Sequence, residues 1–385
     1  MILLIKWLLE FLFLFLSAMI LYYCLIMIRY VFVWWRMPLV QPGSVNGTTK
    51  ISIILPVRNE EINIGPCLNS LLKQNYPSGL YEIIVVDDDS EDNTLNLVNA
   101  ILAGLPDGRM KVLHLKSDST VKAHKKRAIA AGISISTGDL VVTTDGDCIL
   151  GPYWLKSIAE LYERENPVLI IGPVAFRNEK NLLGVMQTLE FAGLMAVTGA
   201  SARVNTPLMC NGANLAYTRK AYEEAGGFRE ELIASGDDVL LMQKIWKMNP
   251  EKIRFLKTPD AIVWTEPQEN LQALLNQRKR WSSKYKAYGR GKIQGTAFIV
   301  YFANLFLLVG VPICIVIPGF RPFYLILAGA KLIIDFLFLF LAVSFIHRKK
   351  ILWLYLFELL VYPFYVVLSG FLGIRSGSEW KGRKI

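Results

Sequence analysis

Apolar and polar positions divide the chain into a polar middle held between apolar ends. Phe11 to Ile28 carries no charged residue, and neither does Gly295 to Phe320; each suffices for a membrane span, which needs roughly 20 apolar residues. The first stretch lacks a small-residue cleavage site and continues aromatic from Tyr30 to Trp35. It therefore reads as a retained anchor rather than a signal peptide. Pro322 to Ile346 and Ile351 to Ile374 are two further apolar segments. In the middle, short β-branched or apolar runs at Ile51–Leu55, Ile83–Val86, Lys111–Leu115 and Leu140–Thr144 alternate with helical stretches at Ile62–Gln74, Thr94–Leu102 and Lys125–Ser136. This alternation predicts an α/β domain with a doubly wound, mainly parallel sheet covered on both faces. Ligands of such sheets bind beyond the carboxyl ends of the strands.

The pattern gives six regions: a membrane anchor (1–40), a Pro- and Gly-containing linker (41–50), an α/β domain (51–265), an amphipathic interfacial helix (266–294), C-terminal membrane segments (295–374) and a basic tail (375–385). In the fourth region Leu271, Leu274, Leu275, Trp281, Tyr285 and Tyr288 recur at helical spacing, with Arg278, Lys279, Lys284, Lys286 and Arg290 between them. That reads as a basic helix lying on the membrane. Lys331 and Asp335, one turn apart, are expected to pair within the membrane, whereas Glu358 has no evident partner in sequence. The positive-inside rule places the middle domain and His347–Lys350 in the cytoplasm. A basic tail outside would violate that rule, and Pro363 divides the last segment, so Ile351–Ile374 is expected to dip in and return.

Composition agrees: 53% hydrophobic and 12% aromatic residues exceed what soluble domains carry. The net charge of +10 is concentrated beside apolar segments, which points to anionic lipid and against nucleic acid. The five cysteines are scattered without disulfide or zinc spacing, which fits a reducing compartment.

The residues that carry chemistry fall at predicted strand ends. Pro56-Val57-Arg58-Asn59-Glu60 follows the first strand and by itself reads as an ordinary strand-to-helix loop. Asp87-Asp88-Asp89-Ser90, followed by Asp92 and Thr94, comes after the second. Turn and N-cap preferences explain one or two of these; three successive aspartates repel one another and favour a cation, a base edge or backbone donors nearby. Asp145-Gly146-Asp147 closes the strand at Leu140–Thr144. Two carboxylates one residue apart on an extended chain lean to the same side. With no His/Cys cluster beside them, Mg²⁺ or Mn²⁺ is the expected ion. Gly236-Asp237-Asp238 precedes an apolar helix start, where a carboxylate serves either as N-cap or as general base. Gln277, Arg280 and Trp281 share one helix face and together suit a diphosphate and a sugar ring.

In this order, the motifs resemble those of membrane-bound family 2 inverting glycosyltransferases with the GT-A fold, over about Ile51 to Trp281 and the flanking membrane segments. Gln277-Arg278-Lys279-Arg280-Trp281, the QxxRW motif, is the most specific match. The resemblance implies that Pro56, Glu60, Asp87 and Asp88 hold a nucleotide with Lys125 near it, and that Asp145 and Asp147, the DxD motif, bind the metal and diphosphate. It also implies that Asp238 is the base, that Asn211 and Gly212 line the sugar or acceptor pocket, and that Gln277, Arg280 and Trp281 close over the site. Asp237 stands where the family usually has glutamate, so Asp237 and Asp238 are both candidates for the catalytic acid-base position. His124 replaces a frequent glycine and reads as a solvated loop residue.

The implied protein is integral to a bacterial inner (plasma) membrane, with its catalytic domain in the cytoplasm, using a nucleotide-sugar donor. Two acceptor readings stand: single transfer to a lipid or other glycoconjugate, or processive synthesis of an exported polysaccharide. The second needs a channel, hence a partner subunit or a homo-oligomer. The tail Trp380-Lys381-Gly382-Arg383 resembles the ending of some lipid glycosyltransferases. A non-catalytic binding protein on the same fold is a third reading, disfavoured because the acidic and QxxRW positions are intact.

Overall fold

The computed structural model describes residues 2–43, 47–105, 108–116, 123–228, 237–283, 291–372, 379–380 and 383–384. Residues 284–290, which include Tyr285, Tyr288, Lys284, Lys286 and Arg290, lie outside them, as do Gly236 and most of the basic tail.

A long helix, α1 (Ile2–Arg36), opens the chain. It contains no glycine or proline and ends two residues before Pro38, where the residue preceding a proline is driven out of helical geometry. An alternating region follows: β1 (Ile51–Val57), α2 (Ile64–Leu72), β2 (Tyr81–Asp87), α3 (Thr94–Ala103), β3 (Met110–His114), α4 (His124–Ile135), β4 (Leu140–Thr143), β5 (Ile149–Leu150) and α5 (Trp154–Glu165). Next come β6 (Leu169–Ile171), β7 (Val174–Phe176), α6 (Leu182–Arg203), β8 (Leu215–Thr218), α7 (Arg219–Glu224), α8 (Asp237–Met248), β9 (Ile253–Phe255) and β10 (Val263–Thr265). Four helices follow, α9 (Leu271–Ser283), α10 (Lys292–Val316), α11 (Arg321–Phe345) and α12 (Tyr355–Leu372), and then a pair of two-residue strands, β11 (Glu379–Trp380) and β12 (Arg383–Lys384).

Two compact units result. One comprises residues 37–180 and 197–267. Its main sheet has the order β3-β2-β1-β4-β8-β6-β9, and a smaller sheet has the order β5-β10-β7. β1, β2, β3 and β4 are parallel, as the alternation predicts. β8 runs antiparallel to both β4 and β6. That reversal positions the site: Thr143, the last residue of β4, is in register with Leu215, the first of β8. The segment entering β8 therefore meets the carboxyl end of β4. On the other side Val57, Asp87 and His114 stand in register across β1, β2 and β3. The central strands are buried almost throughout, which is why they read as continuous apolar runs.

The other unit comprises residues 1–36, 181–196 and 268–384. α1 packs against α10 and α11, and α12 against α9 and α10. Phe13, Leu16, Ile20, Ala303 and Phe306 form its core, and Phe13 stacks on Phe320 at 4.3 Å. Gly310 permits the close approach of Tyr324, whose ring would lie 2.5 Å from a Cβ there. Lys331 and Asp335 pair at 2.6 Å, and the Tyr23 hydroxyl donates to Asp335 at 2.7 Å. Among the described residues five helical stretches are long and apolar enough to cross a membrane: Leu3–Arg36, Leu182–Arg203, Lys292–Val316, Pro318–Phe345 and Lys349–Gly370. Two features depart from expectation. α12 continues unbroken through Pro363, so the last segment does not fold back at that residue; membrane helices tolerate proline where neighbours and local adjustments satisfy the freed carbonyl. The chain also passes between the two units within α6, an apolar helix that the sequence pattern does not separate from the α/β domain.

Candidate active site

The site is assembled at the carboxyl ends of β1, β2 and β4. Pro56 lies within β1 rather than after it, and Asp87 is the last residue of β2. Asp87 is fully buried. Its Oδ2 lies 2.8 Å from His114 Nδ1 and accepts the Ser90 amide at 3.3 Å, while Oδ1 has no partner among the described residues. Asp88, also buried, pairs with Arg127 at 2.9 Å and lies 3.5 Å from His124 Nδ1. Asp89 takes a left-handed conformation, φ 60°. Arg127 beside Asp88 and the left-handed turn at Asp89 thus relieve the repulsion among the three aspartates. His124 is not a solvated loop residue: it begins α4 with a side chain 11% exposed, because Asp88 draws it inward. Arg58 is buried and donates to the carbonyls of Asp88 and Asp89 at 2.7 and 2.5 Å and to Glu91 at 2.7 Å. It fastens the β1 loop to the β2 loop.

The Asp145-Gly146-Asp147 segment is a turn, closed by the Cys148 amide on the Asp145 carbonyl at 3.1 Å, and not the extended chain expected. It leads from β4 into β5 of the smaller sheet. A Cβ on Gly146 would lie 3.1 Å from Val57 and 3.2 Å from Glu60 Cγ, so Glu60 packs directly against the turn. Lys125 Nζ holds Asp145 Oδ1 at 2.6 Å, and Thr265, ending β10, donates to Asp147 Oδ2 at 3.3 Å. Burial raises the proton affinity of Asp147, and the charges of Asp145 and Glu60 raise it further. Burial likewise pushes up the thiols of Cys67 and Cys148 beside this turn, which makes them inert rather than nucleophilic.

Asp238 lies at the start of α8. Its Oδ2 accepts the Gly212 amide at 3.1 Å and its Oδ1 accepts the Val239 amide at 2.8 Å. The loop entering β8 is fixed from three sides. Thr143 donates to the Gly212 carbonyl at 2.7 Å, and Asn211 accepts the Ala213 amide at 3.0 Å. Buried Asn214 accepts from Trp154 at 3.0 Å and donates to the Pro173 and Ala261 carbonyls at 2.8 and 2.9 Å. A Cβ on Gly212 would stand 3.9 Å from both Asp238 Oδ2 and Lys125 Nζ. The carboxylate, the ammonium and, through it, Asp145 therefore surround one small space. The Asp237 side chain lies outside the described residues. Gln277, Arg280 and Trp281 are half-buried on α9, in the other unit. Neighbouring Arg278 is buried and not a lipid- or water-facing residue of a basic helix.

Among the described residues no three acidic, His or Cys side chains converge as metal ligands. The donor set nevertheless fits a hard cation. Asp145 and Asp147 offer oxygen only, Asp147 and Glu60 concentrate negative charge, and magnesium-type ions take one or two carboxylates with the rest from phosphate and water.

Family comparison decides what class of chemistry this is. The pattern described as "Glycosyl transferase family group 2" matches residues 140–369, more than half of the chain, and that of "Glycosyl transferase family 2" matches residues 52–226. The chain belongs to the family 2 glycosyltransferases. Among relatives of this family 2 enzyme, the probable glycosyltransferase YdaM of Bacillus subtilis is 27% identical over 238 residues, 60% of this chain and 54% of that protein. Glycosyltransferase AglE of Haloferax volcanii is 27% identical over 190 residues, 49% of this chain and 58% of that protein. The poly-beta-1,6-N-acetyl-D-glucosamine synthase of Staphylococcus epidermidis is 25% identical over 241 residues, 60% of this chain and 53% of the synthase. The chain thus spans about half the length of the curated relatives it matches. A mannosyltransferase from Pyrobaculum calidifontis, solved with GDP-Man and Mn2+, superposes with a TM-score of 0.58 at 18% identity, over 91% of this chain and 99% of that one. The glycosyltransferase shares its GT-A fold.

Proposed function

We propose that the enzyme transfers a sugar from a nucleotide-diphosphate-sugar to a lipid or other glycoconjugate acceptor, with inversion at the anomeric carbon. The observation that carries this reading is the space shared by Asp238, Gly212 and Lys125, with Asp145 held at its edge. A general base must stand within hydrogen-bond reach of the proton that it removes, and Asp238 presents a carboxylate whose orientation two backbone amides fix. Asp238 takes the proton of the acceptor hydroxyl, which attacks the anomeric carbon from the face opposite the nucleotide. Pro56, Glu60, Asp87 and Asp88 hold the nucleotide, Asn211 and Gly212 line the sugar or acceptor pocket, and Gln277, Arg280 and Trp281 contact the diphosphate and sugar. Asp145 and Asp147 are the ligands of Mg²⁺ or Mn²⁺, which when bound offsets charge on the departing diphosphate; Mn2+ accompanies GDP-Man in the Pyrobaculum enzyme of the same fold. Lys125 adds a fixed positive charge on the same side. The apolar helices hold the enzyme at the membrane, with the catalytic unit on the cytoplasmic side where basic residues accumulate.

A processive synthase is the second reading, favoured by the similarity to the poly-beta-1,6-N-acetyl-D-glucosamine synthase. Purified enzyme in detergent, offered a panel of nucleotide-sugars with Mn²⁺ or Mg²⁺, separates the two. One solvent-soluble product of a single size is the expected result; a water-soluble ladder would establish the synthase instead. Asp238→Asn is expected to lose transfer while retaining donor binding, and near-normal turnover in that variant removes Asp238 as the base.

A further inference from the structure

In the unit formed by the apolar helices, three polar side chains from three helices close a buried triangle. Arg278 on α9 forms an ion pair through Nη2 with Glu190 on α6, and both members are at least 85% buried, at 9% and 15% exposed. Its Nε donates to the Tyr365 hydroxyl on α12 at 2.7 Å. That hydroxyl is itself hydrogen-bonded to Glu190. The partners lie 88 and 87 residues away in sequence. An arginine held this way has lost its rotamer freedom, because a planar guanidinium bound through both Nε and Nη2 has one orientation. The guanidinium carbon lies over the Trp281 ring, 4.3 Å from its centroid. Phe191, adjacent to Glu190 in sequence, borders the same indole at 6.4 Å. The triangle and the indole are therefore mechanically one object.

The cost of this arrangement argues that it has a use. A buried ion pair contributes little net stability compared with apolar packing, and Arg278 Nη1 is left buried with no partner among the described residues. A helix needing only to be fastened is fastened more cheaply by leucine. What the triangle supplies that apolar residues do not is a fixed cationic plane beneath an aromatic ring.

We infer that Arg278, locked by Glu190 and Tyr365, is a positioning residue that sets the plane of Trp281 for stacking against a sugar of a glycoconjugate acceptor. This rests on the reading of Trp281 as a sugar-contacting residue. Ring–sugar contact depends on the tilt of the indole, and the Arg278 guanidinium over its ring bears on that tilt. Lysine cannot replace it: an ammonium keeps the charge but offers neither the planar pair of N–H groups that Glu190 and Tyr365 share nor a plane for the indole.

A double-variant comparison in the full-length protein tests the assignment. Arg278→Lys and the milder Tyr365→Phe are each expected to raise the acceptor KM, by about tenfold and about threefold, the range of one cation–π contact. Donor affinity, measured by nucleotide-sugar titration without acceptor, should stay within twofold, which also reports that the variants are folded. In a Trp281→Ala background, Arg278→Lys should have no further effect on acceptor KM, because the residue through which it acts is gone. If Arg278→Lys leaves acceptor KM unchanged while Trp281→Ala raises it, the positioning role fails and the reading of Trp281 stands. Additive effects of the two substitutions, or parallel loss of donor affinity, would assign Arg278 to scaffolding and overturn the inference. An unchanged acceptor KM in Trp281→Ala would remove the reading of Trp281 itself, and the inference with it.

Discussion

Gly212→Ala is expected to move stability and activity in opposite directions. Gly212 does not adopt a left-handed conformation, and an added Cβ would lie 3.7 Å from Asp238 Cβ, 3.9 Å from its Oδ2 and 3.9 Å from Lys125 Nζ. These are ordinary van der Waals separations, so the methyl group fits without moving its neighbours. The unfolded chain loses freedom, which stabilises the fold by about 0.4–1 kcal/mol, a rise in Tm of about 1–3 °C for a unit of this size. With Asp238 as the proposed base, the methyl group would occupy the space where the acceptor oxygen must approach its carboxylate to about 3 Å. Displacing a reacting atom by about 1 Å costs on the order of a hundredfold in rate. Thermal unfolding followed by tryptophan fluorescence, beside nucleotide release with and without acceptor, reads both effects. Transfer at the wild-type rate together with the higher Tm would refute this placement of the acceptor. A fall in both quantities would show that the loop had been displaced.

Asp147→Asn should raise the melting temperature at neutral pH and lower transfer about a hundredfold or more. Burial, Asp145 and Glu60 raise the Asp147 carboxyl, so the folded protein binds that proton more tightly than the unfolded chain does. Stability therefore falls as pH rises through the window above the usual carboxylate value. The variant's advantage should vanish in acid, and its Mn²⁺-induced thermal shift should be absent; an equal shift in both proteins contradicts the ligand assignment. Lys331→Met leaves Asp335 buried with Tyr23 and should cost about 3–5 kcal/mol in detergent unfolding, much of which Lys331→Met/Asp335→Leu restores; no recovery in the double variant would contradict a charge-pair origin. If the continuous α12 crosses the membrane, a cysteine introduced at position 383 should react with an impermeant reagent in intact cells; protection would place the tail in the cytoplasm.

The parallel half of the sheet was legible because its strands are buried on both faces and separated by helical periodicity. The direction of β8 was not, since a short buried run such as Leu215–Thr218 reads identically in either direction. The meeting of Gly212 with Asp238 follows from that direction and stayed hidden with it. Residue type identified Asp145 and Asp147, but their turn depends on a backbone bond to Cys148 that no spacing announces. Arg278 was misread for a different reason. On an amphipathic pattern an arginine is assigned to water, and only its distant partners Glu190 and Tyr365 make burial affordable. Pro363 misled in the same way, because rules for breaking helices in water weaken in lipid.

The division of α6 between the two units has a bearing on how the enzyme can be dissected. Its first four turns belong with the apolar helices and its last two with the unit that holds the main sheet. The catalytic part is consequently not a cassette that one cut at each end releases. A fragment covering residues 37–267 would carry Leu182 to Ala196 without the helices that cover them, presenting apolar surface to water. Such a fragment should aggregate unless detergent or the missing helices are supplied in trans, and complementation between separately expressed pieces becomes the natural way to take this enzyme apart.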